Sequence, residues 1–542
     1  MFPSSLRRPA RAVPPGSFSR LHHGSGHPLF RLFFFLPVLL LAAPSGCTRD
    51  REPAPPARLE IPGDTVRLGI GEERHLEYTV FDSTGNILLA PGIRWSTGDS
   101  TVARVEEGTV RGSGAGETWI RGAVGPVEGR IRLRVEEGGG EPPPGTPRGY
   151  LTVDPDNPSW FRRTGEGPFF LCGPGDPEGF LYRGARRASG TRDGDQVALI
   201  EKVARSGANS IYLMAVRSHG GDGRDDENPF VAQDPGLGVN PAILDQWEGW
   251  FAAMDARGIL IFFIFYDDGA SVWRTGDQVE PPERAFIRVL VDRFEHHRNL
   301  VWVIGEEYAE AFSPARVSAL ARVVREADDF GHPVGVHQNS GLVFDFPDNP
   351  FVDQFALQWN PQVDPDEFHT ALSEAFFQAR GRYNLTMAER DGHGLEPTDR
   401  IRALNWAAAL AGAYVMVYQW DVELTSEEQL RQCGYLARFM ESSAFPTMTP
   451  SPGASAGQTR FLMSGTGPVF LGYSESGEGR PGVREVPRGT YEVSWLDARD
   501  GRTRQGTLVH AGGTLFLSRP EDLGPELAFY LRRVDAGPPH VP

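Results

Sequence analysis

The stretch NLVWVIGEEY, residues 299–308, decides the fold of this chain. It is a short apolar run that ends abruptly in two carboxylates, Glu306 and Glu307. A continuous apolar run of this length predicts a strand that is covered on both faces. A second run of this kind, YNLTMAE at residues 383–389, also ends in a glutamate, Glu389. In parallel barrels the carboxyl ends of the strands carry the functional groups, so we expect these carboxylates at one rim.

Residues 149–445 alternate apolar segments with helical segments. Several predicted helices begin with a proline in the first turn, at Pro241, Pro314 and Pro365, and Ser426 opens a capping box. The predicted strands lie at residues 169–173, 208–214, 259–266, 299–308, 333–337, 353–359, 383–389 and 413–420. Eight strands, each followed by a helix, predict a (β/α)8 TIM barrel. An open doubly wound sheet is the alternative, but the Gly-rich phosphate loop expected early in such a fold is missing from the sequence.

The regions that flank the barrel have the pattern of small β domains. Residues 58–136 contain short alternating segments separated by glycine turns, which predicts a sandwich of short strands. Residues 137–148 are rich in glycine and proline and predict a linker. Residues 446–535 again show short apolar strands and predict a C-terminal β-sandwich that packs on the barrel.

The N-terminal segment, residues 1–47, has the pattern of an export signal. It is basic and free of acids up to residue 31, then continues with an apolar core at 32–43 and small residues before Cys47. The core is shorter than a membrane span and has signal-peptide proportions. We expect a lipoprotein signal with Cys47 as the lipidated residue and residues 48–57 as a tether, giving a cell-surface or periplasmic protein. A cleaved, secreted protein and a membrane-spanning helix are the alternatives.

Composition excludes one class of partner. The 542 residues carry a formal net charge of −17, and a nucleic-acid backbone needs a basic surface. Three cysteines are too few for a disulfide framework, and the sequence does not tell whether Cys172 and Cys433 pair. We expect a monomer that contacts a membrane only through its N-terminal lipid.

The ends of the predicted strands carry carboxylates, aromatic rings and amides. This combination suits sugars, because aromatic faces stack on C–H surfaces and carboxylates bind hydroxyls. One protonated and one ionised carboxyl are the minimum equipment for cleaving a glycosidic bond, and Glu307 and Glu389 are the candidates. The other candidate substrate-binding residues are Asp176, Tyr266, Glu306, His337, Trp359 and Trp420. We expect no cofactor and no metal, since no metal-ligand spacing is present. The sequence also lacks the Gly-x-Ser-x-Gly elbow of a Ser-His-Asp hydrolase.

Two resemblances to known families support this interpretation. Residues 302–307, WVIGEE, are similar to the strand-4 signature of clan A glycoside hydrolases, which implies that Glu307 is the acid/base. The strand-7 glutamate of that clan is the nucleophile, which matches Glu389. In that clan an asparagine that binds the sugar 2-hydroxyl stands where this chain has Glu306. A second interpretation therefore makes Glu306 the acid.

Residues 149–535 also resemble the apiosidase-like barrel family whose tail is named for collagen binding. The shared motifs are GPFFL at 167–171, NLVW at 299–302, HP at 332–333 with His337, and GYLARF at 434–439. Residues 58–136 resemble the group 2 bacterial immunoglobulin-like domain, through the motifs IRWSTGDSTVARV at 93–105 and GTVRG at 108–112. These resemblances imply a retaining glycosidase, and the signal pattern of residues 1–47 predicts that it is exported. The alternative from another class is a surface carbohydrate-binding or adhesive lipoprotein without catalysis, and a peptidase has no supporting motif.

Overall fold

A computed structural model describes residues 54–89, 91–136, 148–174, 179–217, 221, 223–359, 361, 363–390, 397–416 and 422–534. All of them belong to one compact unit, Arg51–Pro542. No helix within these ranges combines the length and apolar character that crossing a membrane requires. The predicted signal segment with Cys47 lies outside the described residues, so export and lipidation stay predictions.

The first described region consists of short strands, as the alternating pattern predicts. Their bounds are β1 Pro56–Glu60, β2 Thr65–Gly69, β3 Glu73–His75, β4 Thr79–Asp82, β5 Arg94–Thr97, β6 Ala103–Glu106, β7 Thr109–Gly112, β8 Gly116–Val124 and β9 Val127–Glu136. They form the sheets β2-β9-β8-β5, β3-β7-β6 and β1-β4. Val66, Val110 and Leu133 lie in one buried cluster between the first two sheets. The region is therefore β-layered, and its likeness to one immunoglobulin-like group stays a prediction.

The central region alternates strands with helices, as the apolar runs predict. It begins with an antiparallel sheet of β10 Leu151–Val153, β11 Phe161–Arg163 and β12 Gly167–Phe169. The elements that follow are α1 Gln196–Ser206, β13 Ser210–Val216, α2 Pro241–Asp255, β14 Leu260–Tyr266, α3 Pro281–Phe294, β15 Leu300–Gly305, α4 Pro314–Ala327, β16 Val334–Gln338, β17 Gln354–Gln358, α5 Pro365–Ala379, β18 Asn384–Glu389, α6 Thr398–Leu410, β19 Tyr414–Val415 and α7 Glu427–Glu441. Strands β13 to β19 pair in parallel, each with its neighbour in sequence.

The segment around Cys172 closes this sheet into a ring. Cys172 forms a parallel bridge with Val415 of β19, and the Gly173 N–H donates to the Val415 carbonyl at 3.1 Å. On its other side, the Asn209 N–H donates to the Cys172 carbonyl at 2.9 Å, one residue before β13. Cys172 therefore occupies an eighth strand position, and the described strands form the barrel that the sequence predicts.

The local signals that predict the helices act as expected. The Asn240 side chain accepts from the Ala242 N–H at 3.0 Å, with Pro241 as the first residue of α2. Ser426 and Gln429 form a complete capping box at the start of α7. Every residue of β14 is buried, as its continuous apolar sequence predicts for a strand between two layers.

The last described region is again built of strands. They are β20 Met448–Pro450, β21 Ser455–Gly457, β22 Phe461–Gly465, β23 Val469–Ser474, β24 Pro481–Val486, β25 Gly489–Asp497, β26 Thr503–His510, β27 Gly513–Phe516 and β28 Leu527–Arg533. Short 3-10 helices occur at Phe180–Tyr182, Val231–Gln233, Pro235–Leu237, Tyr308–Glu310, Phe445–Thr447 and Pro452–Ala454. The ring of Tyr473 stacks on Trp406 of α6 at 5.3 Å between centroids, so this region packs on the barrel as predicted.

A disulfide joins Cys172 to Cys433 and answers the question that the sequence left open. The two Cα atoms lie 5.5 Å apart, although 261 positions separate them in sequence. The bond links the strand segment that closes the ring to α7, and both cysteines are fully buried. It therefore joins the beginning of the barrel to its last helix.

Loss of this disulfide should destabilise the barrel. Closing a loop of this length removes unfolded-state entropy, so the Cys172→Ala/Cys433→Ala variant should lose on the order of 3–5 kcal/mol of unfolding free energy. Denaturant midpoints of the parent, with and without reductant, measure the loss. Reductant should lower the midpoint of the parent and leave the variant unchanged. An equal midpoint for parent and variant would contradict a stabilising role.

Candidate active site

Four consecutive strands bring the candidate site together at their carboxyl ends. Glu306 and Glu307 directly follow β15, and His337 lies near the end of β16. Gln358 and Glu389 are the last residues of β17 and β18, and the two are register partners. Because parallel strands in a barrel end at one rim, these side chains share one place.

Glu307 is held in an unusual backbone conformation. Its φ of 37° and ψ of 45° lie in the left-handed region, which costs a residue with a Cβ about 1–2 kcal/mol. The Glu307 N–H donates to Nδ1 of His337 at 3.1 Å, which fixes the turn. The chain can therefore leave β15 sharply and enter the 3-10 helix Tyr308–Glu310. Strain of this kind is concentrated at functional sites.

His337 is a neutral, fully buried ring between glutamates. Burial lowers the pKa of His337 to about 3, so the imidazole carries no charge at neutral pH. Nδ1 accepts from Glu307, which places the ring proton on Nε2. Nε2 lies 3.8 Å from Oε2 of Glu389, and Nδ1 lies 3.5 Å from Oε1 of Glu306. The ring therefore holds the backbone of Glu307 in place, and as a neutral imidazole it cannot act as a base near neutral pH.

Glu389 is a buried carboxyl with several hydrogen-bond partners. Nε2 of Gln358 donates to Oε1 of Glu389 at 2.9 Å. Burial raises the pKa of Glu389 to about 7, with the charge of Glu307 as the next contribution, while hydrogen bonds with Gln358 and Glu306 oppose the rise. Two ionised carboxylates cannot hydrogen-bond to each other, so the bond between Glu306 and Glu389 requires a proton on one of them.

Glu307 has a similar pKa, again mainly because of burial, but its charged neighbours differ from those of Glu389. Burial raises the pKa of Glu307 to about 7, Gln358 opposes the rise, and Glu310 and Asp268 add to it. Carboxyl oxygens of Asp268, Glu307 and Glu310 all lie within 4.8 Å of one another. Glu307 and Glu389 therefore share one amide and have pKa values near neutrality, so that one proton can be divided between them. An acid and a base side by side are what proton transfer requires.

Two groups of side chains at this rim have the donor atoms of a metal site. One is Glu306, His337 and Glu389, and the other is Asp268, Glu307 and Glu310. In the first group Nδ1 of His337 is already engaged by the Glu307 N–H, which leaves Nε2 as its free nitrogen. The second group offers only oxygen atoms, which hard cations prefer.

Tyr266 is not part of this cluster, which corrects the sequence-based interpretation. Its hydroxyl donates to Oε1 of Glu283 on α3 at 3.1 Å, and its ring packs against Phe312. The side chain is 1% exposed and points into the layer between strands and helices. A ring in that layer has no face for a sugar. Its backbone still contributes, since the Tyr266 carbonyl accepts from the Glu306 N–H at 2.9 Å.

Trp359 lies beside the cluster, whereas two other predicted residues are outside the described part of the chain. The Trp359 N–H donates to the Glu389 carbonyl at 3.1 Å. Its half-buried ring stacks on Phe368 of α5 with centroids 5.6 Å apart, so one face is covered. Asp176 and Trp420 lie outside the described residues. The binding roles of all three stay predictions.

Gln358, Asp268 and Glu310 are the site residues that the sequence did not single out. Gln358 contacts both carboxyl groups of the pair, and an amide at the end of a buried strand was the available signal. Asp268 follows β14 and Glu310 ends the 3-10 helix Tyr308–Glu310, and the carboxyl oxygens of both lie near those of Glu307. Their acidic type alone did not distinguish them from solvated residues.

A separate cavity lies away from this rim. Its volume is about 720 Å³, and it lies between β12, the end of α7 and the C-terminal sheet. Asp154, Arg162, Glu492 and Tyr530 are among its lining residues. Because it contains none of the clustered strand-end residues, it does not bear on their chemistry.

Comparisons with solved structures support the barrel. A protein from Bacteroides vulgatus ATCC 8482, described as a candidate glycoside hydrolase, matches 87% of this chain and 100% of its own at 13% identity, with a TM-score of 0.56. A glycoside hydrolase matches 71% of this chain and 97% of its own at 15% identity, with a TM-score of 0.52. A family 5 glycoside hydrolase from Bacteroides vulgatus ATCC 8482 matches 71% and 93% at 14% identity, with a TM-score of 0.52.

No family model matches the sequence, and no curated protein matches it. At identities of 13–15% the structural similarity establishes the fold alone. It confirms the predicted barrel, and the structures that share the fold are glycoside hydrolases. The apiosidase-like resemblance stays a prediction.

Replacing Glu389 with glutamine should stabilise the protein above neutral pH. The pKa of Glu389 is about 7 in the folded chain against 4.5 ordinarily, so the folded state holds a proton longer as pH rises. Stability of the parent therefore falls between pH 4.5 and 7, and the penalty is complete above pH 7. Glu389→Gln removes this penalty and should gain on the order of 1–3 kcal/mol at pH 8.

Denaturant midpoints across pH 4.5 to 8 measure this effect. The two proteins should be equally stable near pH 4.5, and the gap should widen as pH rises. Glu374→Gln, at an exposed position on α5, is the matched control and should show no such gap. A Glu389→Gln variant that is less stable than the parent at pH 8 would contradict the burial argument.

Proposed function

We propose that this chain is a retaining glycoside hydrolase, with Glu307 as acid/base and Glu389 as nucleophile. The observation that carries the proposal is the pair of carboxyl groups joined by Gln358 at the carboxyl rim of the barrel, each with a pKa of about 7. Cleavage of a glycosidic bond needs one carboxyl that is protonated and one that is ionised. The fold shared with glycoside hydrolases adds support by analogy.

The environments of the two groups favour this assignment of roles. Glu307 faces the acidic side chains Glu310 and Asp268, whose contributions raise its pKa and favour the protonated form. Two hydrogen bonds, with Gln358 and Glu306, lower the pKa of Glu389 against the opposing charges of Glu307 and Asp268, whereas one, with Gln358, lowers that of Glu307. Glu307 would then give its proton to the leaving oxygen, and Glu389 would attack the anomeric carbon.

The shared amide supports retention over inversion. Gln358 hydrogen-bonds with both carboxyl groups. Contact with one side chain brings the two carboxyl groups close together, as attack by one of them on the sugar requires. Retaining enzymes have carboxyl groups about 5–5.5 Å apart, whereas inverting enzymes need about 6.5–9.5 Å to hold a water.

In this mechanism Glu389 forms a covalent bond to the sugar while Glu307 protonates the departing oxygen. Glu307 then removes a proton from water, which attacks the same carbon and releases Glu389. Glu306 hydrogen-bonds with Glu389, and with a proton it can donate as an asparagine would. Its side chain is 11% exposed and lies against His337, so it has less access to a leaving group than Glu307.

We also propose that the protein is exported and acts at the cell surface or beyond. The disulfide between Cys172 and Cys433 supports this location, because such bonds persist mainly in oxidising compartments. The signal pattern that ends at Cys47 is the second support. Detection of a lipid-modified Cys47 by mass spectrometry of the membrane fraction tests the anchor.

Substitution of either carboxyl group should abolish hydrolysis. Glu307→Gln and Glu389→Gln should each lower kcat by at least about 10³-fold, because a half-equipped pair cannot complete the reaction. A panel of neutral and acidic polysaccharides provides the substrates, and release of reducing ends provides the readout. Proton NMR of the first product should show the anomeric configuration of the substrate. An inverted product would overturn the nucleophile role.

The same panel tests the rival function. Glu306 in place of asparagine favours a barrel that binds glycans without cleaving them. In that case the parent would bind a polysaccharide without releasing reducing ends, and Glu389→Gln would bind equally well. Glu374→Gln, at an exposed position remote in sequence from the pair, is the control and should hydrolyse like the parent.

The pH profile of hydrolysis should be bell-shaped with its maximum near neutrality. Below the pKa of Glu389, about 7, the nucleophile becomes protonated, and above the pKa of Glu307, about 7, the acid loses its proton. The pair therefore titrates in two linked steps around neutral pH. Measurement of kcat/KM from pH 4 to pH 10 checks this, and a maximum below pH 5 would contradict it.

A further inference from the structure

The outer face of the sheet β2-β9-β8-β5 is basic, although the whole chain carries a net charge of −17. Alternate residues of these strands are exposed, as expected where one face covers a core. The exposed arginines on this face are Arg67, Arg94, Arg121, Arg130, Arg132 and Arg134. Among the residues of these strands whose side chains are described, Glu117 and Glu128 are the acidic ones on this face. We name this surface the arginine face.

A tryptophan stands in the middle of the arginine face. Trp119 of β8 is 41% exposed, and its register partner on β9 is Arg132. The guanidinium carbons of Arg130 and Arg132 lie 4.8 Å and 5.2 Å from the indole centroid. These contacts orient the ring and leave a large part of it open to solvent.

Strand pairing places like charges opposite each other on this face. Arg121 is the direct partner of Arg130, and Arg67 is the direct partner of Arg134. Like charges in opposed positions destabilise a sheet. The ion pairs of Arg121 with Glu128, at 3.0 Å, and of Arg134 with Glu117, at 4.0 Å, offset part of this repulsion.

Opposed arginines alone do not make a binding surface. On the other sheet of the same region Arg104 is opposite Arg111, but Arg111 is paired with Glu73 at 3.0 Å. That second pair lies on a different sheet from Trp119. The arginine face differs because it combines six cations with one exposed indole.

We propose that the arginine face binds a polyuronate, a polysaccharide with carboxylate groups on its sugar rings. The guanidinium group matches a carboxylate through two parallel hydrogen bonds. The exposed part of the indole adds apolar surface for a sugar ring beside these cations. Arg130, Arg132 and Arg134 follow one another along β9 about 7 Å apart, so they suit a chain with repeated charges.

The charge of the whole chain favours a glycan over other polyanions. A net charge of −17 repels every polyanion, and it repels most strongly those with the densest charge, a nucleic acid and an anionic membrane. A polysaccharide carries its charges further apart and offers neutral ring faces between them. The choice of a glycan as partner rests on the proposed function of the barrel, whereas the binding surface itself is independent of catalysis.

The test measures binding by the full-length chain that carries Glu389→Gln, so that the probe is not hydrolysed. Polygalacturonate is the probe, and a neutral galactan is its uncharged counterpart. Arg130→Gln/Arg132→Gln and Trp119→Ala should each weaken binding of polygalacturonate at least tenfold. The matched control, Arg104→Gln/Arg111→Gln, removes the same charge from the other sheet and should change binding less than twofold. Thermal midpoints should not fall in the arginine variants, because repulsion is relieved.

Several outcomes would overturn the proposal. Equal loss of binding in the arginine variants and in their control would show that binding depends on the total charge of the region and not on the arginine face. Tighter binding of duplex DNA or of phosphatidylglycerol vesicles would assign the face to a nucleic acid or a membrane, and tighter binding of dextran sulfate would assign it to sulfated glycans. If the parent hydrolyses no polysaccharide but the arginine and Trp119 variants lose binding, the glycosidase proposal is contradicted and polyuronate binding by the arginine face is supported. If the parent hydrolyses a polysaccharide but the variants bind polygalacturonate as the parent does, the proposed catalysis stands and the arginine face is overturned.

Discussion

The burial of Glu389 beside Glu307 is the constraint on which the candidate site depends. An interior of low dielectric opposes ionisation of either group, and their mutual repulsion opposes ionisation of both. The barrel holds them there because Gln358, Glu306 and His337 each come from the end of a neighbouring strand and supply hydrogen bonds or a neutral surface. The arrangement exists only if these strands end in register, so the electrostatics of the pair depend on the parallel ladder beneath it.

Closure of the parallel sheet into a barrel depends on the few backbone contacts of the segment around Cys172. In the described part of the chain, Cys172 meets β19 through one bridge, and its carbonyl meets Asn209 on the other side. Few backbone hydrogen bonds therefore hold this side of the ring, and the disulfide from Cys172 to Cys433 reinforces it from α7. A covalent link adds most where the loop that it closes is long. The disulfide therefore reinforces the barrel at Cys172, where the strand pairing is short.

The sequence predicts the barrel well because buried parallel strands have a strong signature. The run Leu260–Tyr266 is apolar throughout, and first-turn prolines mark where α2, α4 and α5 begin. An unbroken apolar run has no alternation of polar and apolar residues, so it does not reveal which side chains point to the barrel axis and which to the helices. The sequence therefore does not reveal that the Tyr266 side chain points toward α3. Gln358 follows a register shift after Leu357 that no local pattern reveals. Pairing of Cys172 with Cys433 depends on the closed ring, which is a property of the whole fold.

The acidic rim around Glu307 and the arginine face favour opposite charges on a glycan that binds to both. The rim around Glu307 is acidic, with Asp268 and Glu310 close by, so carboxylates on a sugar at the scissile bond would be repelled. The arginine face requires carboxylates, and its Trp119 requires an apolar ring face. A glycan that satisfies both surfaces must therefore carry its charges away from the bond that is cleaved. Anchoring of charged stretches on the β domain would raise the local concentration of neutral stretches at the barrel, which increases turnover without any change in the catalytic pair.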